Sequence, residues 1–416
     1  MKVLWITNIV FPEANGILTG KNEFKSSGGW MLAMAEALKK DENVQLVVAS
    51  VSNKVDRLTK LSGEGVVFYL LPMRRWCNYN QEYEIYWKEI KKTETPDVIH
   101  IHGTEFPYGL SYIKACGNKC VVISIQGLVS VIARYYKAGL TNWDIFRNLT
   151  IRDVFNRSIW SERKRFVKKG QLEVETLQLC KSIIGRTLFD EIHVKIINPE
   201  VNYYVCNETL RNEFYSGQWN YDSCKKFSIF LSQGWYPLKG IHQVLKALPH
   251  ILKKYPETKI RIAGPDITKA DTIIQRLRMS GYAKYLRRMI KKLQIEEFVS
   301  FIGSLDADGV KKELLSCNVF VCPSSIENSS NSLAEAQLLG VPCVASYVGG
   351  LPSMMKGDEK NLYRFEEYEM MAALIMDNFE CKTDREPMRK VIRKRHDPDL
   401  NMRYLLEIYK RVSDEE

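Results

Sequence analysis

Two carboxylates stand at a spacing that could organise a binding site. Glu327 and Glu335 have seven residues between them in the stretch PSSIENSSNSLAEAQLLGVPCVASYVGG, residues 323–350. An apolar run at 319–322 precedes them and a helical pattern ending at Gly340 follows, which predicts a strand, a polar loop and a helix N-terminus. Such a terminus attracts anions, and a carboxylate beside it can accept hydrogen bonds from sugar hydroxyls. We therefore expect this segment to bind a phosphorylated sugar, specifically a nucleotide sugar.

A structural alternative accounts for the same two acids. Ser332 and Glu335 fit the S-x-x-E capping box, in which Glu335 would merely close the helix N-terminus. Glu327 would then be a solvated loop residue.

The segment resembles the E-x7-E region of glycosyltransferase family 4, whose usual form is PS-x-x-E-G-F-G-x-x-x-x-E-A-x-A-x-G-x-P-V-V-A. The matching residues are Pro323, Ser324, Glu327, Glu335, Ala336, Gly340, Pro342 and Ala345. The sequence departs from the pattern at Asn328 and Ser330, where many members carry glycine. The resemblance implies that Glu327 contacts the transferred sugar and that Glu335 contacts the ribose. It also implies that the intervening loop binds the donor through Asn328, Ser329, Ser330, Asn331, Ser332 and Leu333.

A lysine precedes a second predicted helix, in the sequence QGWYPLKG at 233–240. A cation at a helix N-terminus opposes the helix dipole, so Lys239 is better explained if an anion binds there; the alternative is an exposed loop lysine. Family members carry G-R-L-x-x-x-K-G here, which Lys239 and Gly240 match. The arginine of that motif falls on Gly234, so the usual pair of cations on the diphosphate is incomplete.

Arg186 is a candidate for the missing cation. It follows an apolar strand, where ligands of parallel sheets bind, and a guanidinium can hold a phosphate in bidentate fashion. The alternative is a salt bridge to Asp190, one helical turn further on.

The first half of the chain offers a few polar or glycine-rich positions at predicted strand ends. Gly28 and Gly29 precede a predicted helix and resemble the family's first glycine-rich loop, near the phosphates and acceptor; a plain turn is the alternative. His102 ends a predicted strand and is a candidate catalytic residue, although His100 should point the same way. Many relatives have a histidine after the next strand, where this chain has Gln126, which can bind a sugar but cannot act as acid or base.

Asp306-Ala307-Asp308 spells the D-x-D of metal-dependent glycosyltransferases. It opens a predicted helix, where aspartates serve as caps, and the resemblance implies no need for a metal. We therefore expect no metal and no cofactor.

Composition limits the class of protein. The chain has 416 residues, which suggests two domains, and no apolar run of the roughly 20 residues needed to span a bilayer. Its ten cysteines are scattered, which favours a reduced, cytosolic protein. The net charge is +11, and the positive charge is unevenly distributed. The segment 134–169 contains ten Lys/Arg but only three Asp/Glu, with seven aromatic residues between them. This segment is either an ordinary helical surface or a surface for anionic membrane or a lipid-linked acceptor; no nucleic-acid motif is visible.

Strand and helix patterns alternate twice along the chain, which predicts parallel sheets covered by helices. Strands are predicted at 3–6, 44–51, 66–71, 98–102, 121–125, 182–184, 227–231, 259–262, 298–302, 319–322 and 342–345. Two Rossmann-like doubly wound domains follow, and the resemblance implies the GT-B fold with a C-terminal helix returning to the first domain. The predicted domains are 1–200 with about 395–416 as acceptor domain, and 201–394 as donor domain.

The resemblance therefore implies a retaining glycosyltransferase that moves a sugar from a nucleotide-sugar donor to a glycan or lipid-linked acceptor, in bacterial cell-surface polysaccharide synthesis. Two alternatives remain: a nucleotide-sugar epimerase of the same fold, or a catalytically silent partner subunit.

Overall fold

The structure, a computed structural model, describes residues 1–20, 29–73 and 79–414. These residues form two compact units. The first contains Met1–Val131, Val167–Arg211 and Arg395–Glu416, and the second contains Ile132–Phe166 and Asn212–Lys394. Residues 132–166 group with the second unit, although they precede the predicted boundary near residue 200, which stays a prediction.

The strands and helices alternate in both units. The strands are β1 Lys2–Thr7, β2 Gln45–Ser52, β3 Thr59–Ser62, β4 Val66–Pro72, β5 Val98–His102, β6 Val121–Ser124, β7 Ser182–Gly185, β8 Asn202–Val205, β9 Ser228–Leu231, β10 Lys259–Ile262, β11 Val299–Phe301, β12 Val319–Cys322, β13 Cys343–Ser346 and β14 Leu362–Tyr363. The helices are α1 Pro12–Thr19, α2 Gly29–Lys39, α3 Glu82–Glu94, α4 Tyr108–Cys116, α5 Val129–Tyr135, α6 Asn142–Arg147, α7 Ile159–Leu179, α8 Leu188–Ile197, α9 Ile241–Leu252, α10 Ile273–Arg278, α11 Gly281–Leu293, α12 Ala307–Ser316, α13 Asn331–Leu339, α14 Leu351–Met354, α15 Tyr368–Phe379, α16 Glu386–Arg395 and α17 Pro398–Ser413.

The sheet of the first unit has the order β3-β4-β2-β1-β5-β6-β7-β8. All neighbouring strands are parallel except β3, which runs antiparallel to β4. The central strands are buried on both faces because helices cover both sides, as parallel sheets require. The order reverses between β1 and β5, and loops at such a switch point diverge to leave a crevice where ligands bind.

The sheet of the second unit is parallel and has the order β11-β10-β9-β12-β13-β14. Its switch point lies between β9 and β12. Lys239 follows the first of these strands and Glu327 follows the second, so the topology brings the two loops together.

The C-terminal helix α17 returns to the first unit, as predicted. The Tyr409 hydroxyl accepts a hydrogen bond from Trp5 Nε1 at 2.9 Å and lies 2.6 Å from Nδ1 of His100. Leu405, Ile408 and Val412 bury the apolar face of the helix against this unit's core.

The strand predictions are confirmed in both units to within a few residues. The sequence pattern missed β3, β8 and β14, which are short strands at the edges of the two sheets. Among the described residues, no helix is both long and apolar enough to cross a bilayer.

Candidate functional site

Lys239 and Glu327 form an ion pair at the switch point of the second unit. Lys239 Nζ lies 2.7 Å from Glu327 Oε2, and the Ser324 hydroxyl donates to the same oxygen at 3.1 Å. Both charged side chains are largely covered, with 15% and 19% of their surfaces exposed. Burial alone would lower the pKa of Lys239, but the charges of Glu327 and Tyr236 outweigh it and raise the pKa above its ordinary value. Lys239 therefore stays a cation over the whole physiological pH range.

Two glycines allow the loops to approach this closely. Gly240 has φ 68°, and a Cβ atom there would lie 1.7 Å from the carbonyl oxygen of Pro323. Gly349 has φ 52°, and its Cβ would lie 2.0 Å from the carbonyl oxygen of Glu327. Each position combines a left-handed backbone with a direct backbone contact, so only glycine fits without movement.

Hydrogen bonds fix the backbone of the loop that carries Glu327. Ser325 N–H donates to the Leu238 carbonyl at 2.7 Å, which ties the glutamate loop to the lysine loop. The Ser346 hydroxyl donates to the Ser324 carbonyl at 2.5 Å, and Gly350 N–H donates to the Glu327 carbonyl at 2.9 Å. The ends of three neighbouring strands thus hold one acidic loop.

Helix α13 begins two residues before the predicted capping box. Ser330 is its N-cap, and its hydroxyl accepts from Leu333 N–H at 3.4 Å. The capping interpretation of Ser332 and Glu335 is therefore wrong, because Glu335 lies in the second turn of the helix and is 3% exposed.

The other predicted donor-binding residues lie in the same loop and first turn. Asn328, Ser330 and Leu333 are buried, whereas Ser329, Asn331 and Ser332 are partly exposed at the rim. Their contact with a donor remains a prediction.

Gly234 leaves no room for the arginine of the family pattern. A Cβ atom at this position would lie 1.6 Å from Cδ1 of Ile241, the buried first residue of α9. The absence of the arginine is therefore coupled to the packing of Ile241, and Lys239 is the cation that these two loops place beside Glu327.

Arg186 lies in the first unit, at the end of β7, with its guanidinium buried. It forms an ion pair with Glu208 and donates from Nη2 to the carbonyl oxygens of Ile125 and Gln126 at 2.6 and 3.2 Å. The alternative interpretation, a salt bridge to Asp190, is wrong: Asp190 accepts from the backbone N–H of Arg186 and closes a capping box with Thr187. The role of Arg186 as a phosphate ligand remains a prediction.

His102 and His100 lie on the same face of β5, with ring centroids 3.8 Å apart, and both are buried. Burial lowers the pKa of His100 to about 3, and burial together with His100 lowers the pKa of His102 well below its ordinary value. Both imidazoles are therefore neutral. His102 and Gln126 line a small cavity of about 20 Å³, which is water-sized. The catalytic role of His102 remains a prediction.

Gly29 is the first residue of α2, and a Cβ atom there would lie 3.3 Å from the Arg211 side chain. Gly28 lies outside the described residues.

Asp306 is the N-cap of α12 and accepts from Gly309 N–H at 2.8 Å, so the predicted capping role is confirmed for this residue. In the described ranges, no group of three or more His, Cys, Asp or Glu side chains is arranged to hold a metal. Independence from metal remains a prediction.

Sequence reasoning missed Asn8 and Glu105, at the switch point of the first unit. Asn8 follows β1 and Glu105 follows β5, and Asn8 Nδ2 donates to Glu105 Oε2 at 3.0 Å. Burial and the nearby Glu173 raise the pKa of Glu105 to about 7, against the opposing charges of Lys169 and Arg186. A carboxyl that titrates near neutrality at a ligand-binding edge is a candidate functional group. Its position three residues after His102 was the available signal.

Parts of the chain are similar in sequence to known glycosyltransferases. Residues 213–395 match the family model described as Glycosyl transferases group 1, a stretch that contains Lys239, Glu327 and Glu335. An uncharacterized glycosyltransferase of Methanocaldococcus jannaschii is 30% identical over 140 residues, which cover 33% of this chain and 32% of that protein. The chain thus spans about a third of the length of that curated relative.

Two solved structures resemble the whole chain. Sucrose-phosphate synthase from Thermosynechococcus elongatus has a TM-score of 0.67 at 13% identity, with 99% of this chain and 98% of that chain covered. The Anabaena protein HepE, solved with UDP and glucose, has a TM-score of 0.64 at 14% identity, with 98% of each chain covered. The fold is therefore of the GT-B type, with two α/β domains. Residues 213–395 are similar to the glycosyl transferases group 1 family over that stretch.

Proposed function

We propose that the chain is a retaining glycosyltransferase of family 4 that transfers a sugar from a nucleotide-sugar donor to a glycan or lipid-linked acceptor. The observation that carries this proposal is the largely buried ion pair between Lys239 and Glu327 at the switch point of the second unit. It joins the cation that a diphosphate needs to the carboxylate that sugar hydroxyls need.

The donor is a nucleotide sugar because the site places a cation for the diphosphate, Lys239, directly beside a carboxylate for the sugar hydroxyls, Glu327. Lys239 would bind the diphosphate, together with the N-terminus of α13. Glu327 would then exchange part of its bond to Lys239 for hydrogen bonds from the transferred sugar, and Glu335 would contact the ribose. The Anabaena neighbour, solved with UDP and glucose, supports a donor of this chemistry.

In the transfer step, the bond between the anomeric carbon and the diphosphate oxygen breaks, and its electron pair stays on the departing diphosphate. The oxygen of an acceptor hydroxyl bonds to the anomeric carbon on the same face, and its proton passes to the departing diphosphate oxygen. Lys239 stabilises the charge that builds up on the diphosphate, which is the kind of electrostatic effect that lowers such a barrier. No metal is required at this site.

We further propose a role in bacterial cell-surface polysaccharide synthesis, on the cytoplasmic side of a membrane. The basic segment at 134–169 supports a membrane-borne acceptor, since positive charge attracts anionic lipid.

Incubation with a panel of nucleotide sugars, with and without candidate acceptors, tests the proposal. Transfer predicts that a nucleoside diphosphate and a glycosylated product form together only when an acceptor is present. Conversion of the donor to an altered nucleotide sugar without acceptor would identify an epimerase. A protein that binds none of the donors and releases no nucleotide would contradict the proposal.

A further inference from the structure

Two stretches of the second unit expose large apolar side chains to solvent. In the first stretch, five residues of 143–155 are at least 59% exposed: Trp143, Phe146, Ile151, Val154 and Phe155. In the second, Ile273, Ile274 and Leu277 of α10 are at least 49% exposed. Soluble proteins rarely expose apolar groups in such numbers together, and patches of this kind mark interaction sites. We call residues 143–157 and 273–278 the apolar-basic surface.

The two stretches lie side by side although more than a hundred residues separate them in the chain. Arg152 Nη1 donates to the Arg278 carbonyl at 3.2 Å, and Lys284 Nζ donates to the Leu149 carbonyl at 3.0 Å. Arg152 and Arg278 also line a common cavity of about 540 Å³, which Arg157 and Ile274 share. The apolar side chains therefore belong to one face of this unit.

Polar contacts hold these apolar side chains outward. The buried Asp153 accepts from the backbone N–H and the hydroxyl of Thr150 at 2.8 and 2.9 Å. These bonds fix the start of the π-helix Asp153–Arg157, which carries Val154 and Phe155. On α10, Thr272 and Gln275 form a capping box directly before and after Ile273 and Ile274. No residue of this six-residue helix is buried. A helix of this length has little stability of its own in water. A partner that covers its apolar face would therefore stabilise it.

The charge around this face has one sign. Residues 132–166 and 273–293 together contain fifteen Lys/Arg and three Asp/Glu. This excess of twelve exceeds the net charge of +11 for the whole chain, so the remainder of the protein is close to neutral. Arg147, Arg152, Arg157, Arg276 and Arg278 are all exposed among the apolar side chains.

We propose that the apolar-basic surface binds the surface of an anionic phospholipid bilayer. Apolar and aromatic side chains that project beside arginines match the boundary between acyl chains and anionic headgroups. The three arginines at the cavity give headgroup phosphates bidentate partners. This assignment differs from the sequence prediction: it adds α10, and of the segment 134–169 it keeps only residues 143–157. The proposal rests on the proposed function only in that a membrane-borne acceptor explains the need for lipid contact. Lipid binding itself requires no nucleotide-sugar donor.

Sedimentation with vesicles tests the surface. Vesicles of phosphatidylcholine with about 30% phosphatidylglycerol are expected to pellet the protein, and pure phosphatidylcholine vesicles are not; added salt should weaken binding because it screens exposed charges. The apolar variant Phe155→Ser/Ile273→Ser should lose most of the binding. The charge variant Arg157→Glu/Arg276→Glu should lower the partition coefficient for anionic vesicles by about 30-fold or more. Each basic residue near an anionic surface contributes about five-fold to that coefficient, and this variant removes two.

Matched controls lie on α15 and α16, which carry no residue of this surface. Met370→Ser/Val391→Ser removes two apolar side chains that are also exposed, at 47% and 55%, and Arg393→Glu/Lys394→Glu reverses two exposed charges. Both controls should bind like the wild type, and circular dichroism melting curves should be alike for all variants. The proposal is overturned if wild type fails to pellet with anionic vesicles, or if surface and control variants bind equally. It is also overturned if the surface variants dissociate a lipid-free dimer, because a second copy would then cover the face.

Glycosyl transfer to a water-soluble acceptor separates this proposal from the proposed function. The surface variants should keep full transfer to such an acceptor. Vesicle binding without any transfer would contradict the proposed function alone, and transfer without vesicle binding would contradict the surface alone.

Discussion

At the scale of single residues, the site depends on how Lys239 divides its charge between a neighbouring carboxylate and an incoming diphosphate. In the structure, Lys239 Nζ lies 2.7 Å from Glu327 Oε2. A diphosphate that binds to Lys239 must compete with this carboxylate. The competition gives the two acids of the E-x7-E segment different expected effects.

Glu327→Gln should leave the affinity for free nucleoside diphosphate intact or increase it, because the competing charge is gone. Sugar transfer should fall by roughly 10²–10³-fold, as for loss of one well-placed charged contact in a transition state. Glu335→Gln should weaken nucleotide binding as well as transfer. Titration calorimetry and a transfer assay on both variants check this. Full activity in both would remove the main support for a glycosyl-transfer site here.

Glu105 gives a pH-dependent prediction for the first unit. Its pKa of about 7 in the folded protein exceeds the ordinary value of 4.5, so the folded state holds this proton more tightly than the unfolded state. The free energy of unfolding therefore decreases as pH rises through this range. Glu105→Gln should gain melting temperature relative to wild type between about pH 5 and about pH 8.

The control for that experiment is Glu42→Gln, an exposed glutamate of the same unit. The difference between its melting temperature and that of wild type should stay constant across the pH range. A constant difference for Glu105→Gln as well would mean that Glu105 ionises normally in the folded protein.

At the scale of secondary-structure elements, glycines determine how closely the loops after β9 and β12 approach. Gly240→Ala should reduce both stability and transfer, because its Cβ would meet the Pro323 carbonyl oxygen and its backbone is left-handed. Gly357→Ala is the matched control: its φ is 90°, but nothing lies within 4 Å of the added atom. The control should lose only the roughly 1–2 kcal/mol of the backbone conformation.

Melting curves and transfer rates of the two alanine variants decide the point. If Gly240→Ala loses no more stability and activity than Gly357→Ala, the close approach of the loops does not support the site.

The elements that the sequence predicted well are those with a local cause. The β12 strand is apolar throughout, so its composition alone predicts it. Gly340 ends α13 with φ 84°, so the glycine predicts the end of that helix. The start of α13 was misplaced because Ser330 and Ser332 are equally good caps by type. Only the fold of the loop chooses between them.

Contacts between distant residues were not predictable from patterns. Arg186 pairs with Glu208, although Asp190 was nearer in sequence. Likewise, the pattern at 132–166 predicts helices but does not tell which sheet they accompany. Gly234 illustrates the same limit, because its reason is the Ile241 side chain that fills its space.

At the scale of the whole molecule, two switch points present chemically distinct groups. The second unit offers Lys239 and Glu327, and the first offers Asn8 and Glu105. The positive charge of the chain is concentrated in 132–166 and 273–293. The donor chemistry and the proposed lipid contact therefore use different residues and can be altered separately.

The binding of a nucleoside diphosphate in the presence of a chelator tests the central claim most directly. Titration calorimetry with UDP, GDP and ADP in EDTA should detect binding of at least one to the wild type, since Lys239 and a helix N-terminus supply the positive field. Lys239→Met, which keeps the apolar stem and removes the charge, should abolish that binding, and Lys254→Met on the exposed surface should not. Binding that requires Mg²⁺ or Mn²⁺, or that survives unchanged in Lys239→Met, would contradict the account.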